Sequence, residues 1–287
     1  MFIKTKQNFP LPFMTKEFAQ HICSQINAPI CNSVNLETTS YVSRSGNLFG
    51  IIIDSPYTFM LNICGILLGL RMYYNTSNMH ACIGKSEIKW ILFLFIVNNI
   101  LLILTINFQN FINGFSTIIY DIIAAFQLTI FTTYYFTVFA SGITIDKIHG
   151  IMKMNSGAFL STLSSIFICI LSSFNIISIV INNYFLLLGS IIMNTISILM
   201  YIGTQTRKLK KIKSDIWAYG ILSILFSIYI ISLIPIFVGA DIISILTEKN
   251  LDNFFIFHSL NTIFMLMLHK YWLSTCDFEI ECLELEV

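Results

Sequence analysis

The chain has 287 residues, of which 56% are hydrophobic and only 11% charged, with a formal net charge of +1. A soluble domain carries about a quarter of its residues as charges, so this composition excludes an ordinary water-soluble fold and points to a polytopic membrane protein. The charge balance leaves no basic patch of the kind that grips nucleic acid, which excludes that partner.

From the N-terminus, lysine or proline interrupts every apolar run in the first twenty residues. No cleaved signal peptide is expected, and the first span would serve as an uncleaved anchor. Seven apolar stretches are long enough to cross about 30 Å of hydrocarbon: residues 56–73, 90–107, 115–141, 158–181, 184–206, 216–240 and 254–272. In lipid each backbone polar group must be satisfied within its own segment, so these are predicted helices, an all-α bundle. Only Asn182 and Asn183 separate the fourth and fifth, which predicts either a tight turn or one bent helix. The last span opens after Asp252 and stops at His269, Lys270, Tyr271 and Trp272, a set suited to the headgroup belt. The predicted organisation is a lumenal N-terminal segment 1–50, a seven-helix domain 51–273 and an acidic tail 274–287.

Lys and Arg set the orientation. Eleven fall in the first, third and fifth loops and at the C-terminal end, against five on the other side, which puts those loops and the tail in the cytosol. The N-terminus is then lumenal. That topology places Cys64 and Cys169 in spans, Cys82, Cys276 and Cys282 in the reducing cytosol, and only Cys23 and Cys31 on the oxidising side. A Cys23 to Cys31 bridge is allowed, worth roughly 2 to 3 kcal/mol for so short a loop; two free thiols are the alternative. The sequon at Asn75 falls on the cytosolic side and is expected to stay unmodified.

Chemistry-bearing groups are sparse. Asp54 and Asp121 sit at span ends, where an interfacial role outweighs that of a relay. His258 has no second histidine or carboxylate three or four residues on, so no metal site is nominated, and no nucleotide or hydrolase motif appears. No catalytic residue and no cofactor is predicted. Asn62, Asn98, Asn99, Gln127, Asn175, Asn194 and Asn261 populate the spans, where amides bond helix to helix; some are free, on sequence alone, to face a partner. Gly65 and Gly69 form a GxxxG step that serves internal or external packing equally well. The basic fifth loop, TRKLKKIKSD, reads as an orientation signal before a lipid-binding patch.

Four stretches resemble the fungal chitin synthase export chaperone family. Ile22 to Cys31 is similar to an ICxxxPxPxC segment, with Cys23, Pro29 and Cys31 in register. Gly84, Lys85 and Glu87 resemble a GRKE step before the second span, and Asp215 with Gly220 a GDIxxG step opening the sixth. At the end, Asp252, Phe255, Asn261, Lys270, Tyr271 and Trp272 keep the family's spacing. Where a further lumenal cysteine is expected, this chain has Ser40, so only one lumenal bridge remains.

The resemblance implies a multi-pass endoplasmic reticulum membrane chaperone that assists folding and vesicular export of a chitin synthase, with no catalysis. The partners it implies are the polytopic client, the lipid bilayer and a vesicle-coat cargo receptor reading Asp277 and Glu279 in the tail. A seven-helix cell-surface receptor is the alternative, though the signatures expected after its third span and in its seventh are missing. A transporter ranks last, since Pro235 in the sixth span has no counterpart in the matching earlier one.

Overall fold

The computed structural model describes residues 11–26, 28–34, 36, 46–48, 51–53, 55–79, 82, 84–107, 117–151, 156–181, 185–212, 216–246 and 252–285, with side chains throughout except at 11–15, 46–48, 51–53, 107, 117, 144–151, 212, 238–246 and 277–285. Two short helices come first, α1 (Leu11–Gln25) and α2 (Pro29–Ser33). Seven long ones follow: α3 (Pro56–Asn78), α4 (Lys85–Leu102), α5 (Thr117–Ile151), α6 (Ser156–Val180), α7 (Phe185–Ile212), α8 (Ile216–Leu246) and α9 (Asn253–Leu285). A π-helical stretch, Ile103–Asn107, extends α4.

Every expected span is thus helical. Five regions are long and apolar enough to cross a membrane: Lys85–Ile106, Ile118–Ile143, Ser156–Val180, Phe185–Lys211 and Ile216–Phe237. The helices α3 and α9 fall outside that set. Two separate helices flank Asn182 and Asn183, because α6 ends at Val180 and α7 begins at Phe185. Among the described residues the helical plan has one exception, an antiparallel pair of β1 (Gly46–Leu48) and β2 (Ile51–Ile53) in register Gly46 to Ile53, which straddles the boundary expected at residue 50.

Two expectations are corrected. Tyr271 and Trp272 do not form a headgroup belt: they are buried in the main core with Ile91, Leu92, Tyr201 and Leu268. The reason is that α9 does not stop there but runs unbroken to Leu285, so residues 269–272 lie along a helix that neighbours can cover. Of the belt residues only Lys270 is exposed, its ammonium 5.9 Å from the Trp217 ring. Moreover, Cys82 and Cys276 are bonded to each other. Charge asymmetry sorts cysteines by compartment but says nothing of distance, and the continuation of α9 carries Cys276 one turn past Trp272 to meet the first loop.

Hydrogen bonds knit the helices. Side-chain amides pair across the bundle: Gln127 Nε2 donates to Asn98 Oδ1 (3.4 Å), Asn175 Nδ2 donates to Thr129 Oγ1 (2.9 Å), and the Tyr135 hydroxyl donates to Asn261 Oδ1. Trp90 Nε1 reaches Ser164 Oγ at 2.6 Å. All seven span amides named above are buried; Asn98, Asn99, Gln127, Asn175 and Asn261 bond within the bundle, whereas Asn62 and the Oδ1 of Asn194 have no partner among the described residues. Gly65 and Gly69 also face inward, where a Cβ would lie 2.8 Å from Asn99 Oδ1 and from Ile96 Cγ1 respectively. Internal packing of α3 on α4 therefore accounts for the GxxxG step.

Candidate functional site

The residues singled out by sequence gather at the two ends of the bundle. At one end Gly84 has φ 77°, the left-handed region that favours glycine, and its carbonyl accepts the Ile88 N–H to start α4. Lys85 then turns back, its Nζ donating to the carbonyls of Ser77 (2.9 Å) and Met79, a cation closing the C-terminus of α3. Behind them lies a cleft of about 500 Å³ lined by Gly84, Glu87, Gln205, Lys208, Tyr271 and Trp272 among others. Its floor is polar: the Tyr271 hydroxyl donates to Gln205 Oε1 at 3.1 Å. Glu87 is 2% exposed; its Oε2 accepts from Ser86 Oγ at 3.0 Å, while Oε1 has no partner among the described residues. Four motif residues distant in sequence thus line one cleft, and the Cys82–Cys276 bond fastens the loop beside it.

A second polar tie lies nearby. Thr76 gives its one hydroxyl proton to Met72 O (2.8 Å), so the His269 Nε2–H donates to Thr76 Oγ1 across 3.1 Å, joining α3 to α9.

At the other end Asp252 caps α9, its Oδ1 accepting the Phe255 N–H at 3.2 Å. Burial pushes its carboxyl above the usual carboxylate range, against the opposing pull of that N–H. A raised value means the fold prefers the neutral acid: the stabilisation is complete at acid pH and is lost as pH rises through the folded value. Asp252→Asn keeps the cap without the charge and should therefore match or exceed the natural protein in thermal stability at neutral pH. Asp252→Ala should fall below the Asn variant by about 1 kcal/mol; the reverse order would rule out the cap.

The N-terminal helices dock against this end. Cys23 and Cys31 are bonded at 2.03 Å, with both residues buried. Asn253 Nδ2 donates to Gln25 O (2.7 Å), the Tyr120 hydroxyl to Pro29 O (3.3 Å) and the His21 imidazole to Phe237 O (3.1 Å). The docking partners Tyr120, Asn253 and Phe237 were not singled out by sequence; the signal available was the stripe Phe18, Ile22, Ile26 at helical spacing in a segment otherwise read as polar.

Other nominated residues stand apart. Asn261 lies mid-bundle with Tyr135, and Gly220 is exposed on α8, where a Cβ would meet nothing within 4 Å. Asp215 lies outside the described residues, as do the side chains of Asp277 and Glu279. No group of three metal-ligating side chains occurs among the described residues.

A profile described as chitin synthase export chaperone matches residues 16–283, nearly the whole chain. The chain belongs to the chitin synthase export chaperone family. No curated protein and no solved structure gives a match. Membership gives the chain a chitin synthase export chaperone role, with chitin synthase as the client, in a protein with several apolar helices suited to a membrane. The receptor alternative gains no support. The cleft lies where α4, α7 and α9 meet and is closed by the Tyr271 to Gln205 bond.

Proposed function

We propose that this protein resides in the endoplasmic reticulum membrane as a seven-span bundle, N-terminus lumenal and C-terminus cytosolic, and holds a folding chitin synthase until it enters export vesicles. Family membership over residues 16–283 carries the reading. In this orientation residues 1–50 are lumenal, 51–273 form the membrane domain and 274–287 the cytosolic tail, where Asp277 and Glu279 are offered to a vesicle-coat cargo receptor.

The client contact belongs on α6. Its span is the least buried of the five. The exposed face carries Ile166, Ile170, Phe174 and Ile177 beside Thr162, Ser165, Cys169 and Ser173, the last four spaced three or four residues apart. Ser165 and Ser173 donate to carbonyls of their own helix, both at 2.8 Å, and keep lone pairs for a neighbour's donors. Small residues with hydroxyls are what a second membrane helix packs against, since lipid offers such groups no hydrogen bond. The exposed Gly220 adds a second point of close approach on α8.

Deleting the protein should leave chitin synthase synthesis intact while trapping the enzyme in the endoplasmic reticulum, read by imaging a tagged client. Undiminished delivery to the cell surface would defeat the proposal.

A further inference from the structure

The geometry points to a sterol-binding site inside the bundle, in a cavity that the residues in family register touch only at Ile22 and Pro29. The cavity lies between α5, α7, α8 and α9, with α1 and α2 across one end, and holds about 740 Å³ of space free of protein atoms, part of it open. Its walls are mainly aliphatic, with the rings of Phe131, Tyr135, Tyr229, Phe254 and Phe257 set among them. Rigid flat faces of this kind complement a fused-ring skeleton better than a flexible chain, which would give up more conformational entropy on binding.

Asn194 identifies the polar end of the ligand. It lines the cavity, is 5% exposed, and its Oδ1 has no hydrogen-bond partner among the described residues. A buried acceptor without a donor carries a desolvation cost that a hydroxyl group from a ligand would remove. No lysine, arginine, aspartate or glutamate is among the described lining residues; the polar side chains there besides Asn194 are Gln127, Ser190, His258 and the two tyrosines, so no fixed charge pairs with a phosphate or carboxylate head. The occupant is therefore uncharged, apolar along its length and supplied with one hydroxyl donor. Access is lateral: α8 packs chiefly on α9 and only lightly on α7, and α1 closes the seam between α7 and α8 at one end, beside Phe237. Exposed Ile192, Ile196, Ile230 and Ile234 flank the two helices, so the seam faces hydrocarbon, where a sterol resides.

The test uses the purified full-length chain in lipid nanodiscs with a diazirine-bearing sterol, with labelled peptides mapped by mass spectrometry. Labelling is expected on the cavity-facing positions Ile191, Asn194, Tyr229, Leu233, Phe254 and Phe257, competed by excess cholesterol or ergosterol but not by the corresponding 3-ketone, which lacks the donor. Dioleoylglycerol, which has a hydroxyl but no ring system, should compete poorly. Asn194→Leu should weaken labelling by about three- to tenfold, the range for one lost hydrogen bond. Label confined to lipid-facing positions such as Ile230 and Ile234 would overturn the inference, as would equal competition by the ketone or by dioleoylglycerol. Because the ketone comparison uses the natural chain, it decides the matter even where Asn194→Leu fails to fold.

Discussion

Gly69→Val is expected to part α3 from α4 and to lower the thermal midpoint measured in detergent, with Gly65→Val adding to the loss. A Cβ at Gly69 would stand 2.8 Å from Ile96 Cγ1 and 3.3 Å from Phe95 Cδ1, and valine places two further methyl groups on it. Phe95 is buried in the main core and has little room to yield. At Gly65 the obstacle is Asn99, whose Nδ2 is held by the Phe95 carbonyl at 2.8 Å, so moving it sacrifices a buried hydrogen bond. Overpacking of this kind costs about 1 to 3 kcal/mol per site, a large fraction of the roughly 5 to 15 kcal/mol that stabilises a typical fold. Gly203→Val and Gly220→Val, where an added Cβ meets nothing within 4 Å, should leave the midpoint nearly unchanged. Equal midpoints for all four variants would show that α3 and α4 do not approach as described.

Cys31→Ser should cost about 2 to 3 kcal/mol, felt locally in α1 and α2. The bond joins two helices whose other ties to the bundle are a few hydrogen bonds and two small clusters, one of Cys23, Ile30, Cys31, Val34, Ala125 and Leu186 and one of Ile22, Ile26, Leu102, Ile236 and Phe254. Without it, a protease acting at Lys16 should cut faster in the variant, while the main core around Tyr135 and Phe264 stays intact by fluorescence. An unchanged digestion rate would mean the bond staples nothing. The two bonded pairs lie at opposite ends of the bundle, and only one face of the membrane meets an oxidising compartment. In the proposed orientation Cys23 and Cys31 face the lumen, and differential alkylation in cells should find both protected.

Helix positions were legible because a 20-residue apolar run in lipid has one way to satisfy its backbone. Lateral partners were not. GxxxG at Gly65 predicts a close approach but not whose helix approaches, and a lone cysteine in a loop carries no sign of its mate nearly 200 residues away. Tyr271 and Trp272 misled for a related reason: a basic and aromatic cluster ends a span by composition, but the acidic residues after it continue the helix instead of breaking it. The cleft was half visible, since Gly84, Glu87, Tyr271 and Trp272 were singled out separately, while Gln205 counted only as the end of the fifth span and Lys208 as part of the basic loop.

The account rests on α6 being the surface lent to the client, and the most direct measurement is co-purification of chitin synthase in mild detergent with the natural chain and with Ser165→Leu/Ser173→Leu. Both side chains are exposed, so the double variant should fold with an unchanged thermal midpoint. The account predicts that chitin synthase accompanies the natural protein and is lost from the variant; undiminished recovery with the variant, or no chitin synthase with either protein, would contradict it.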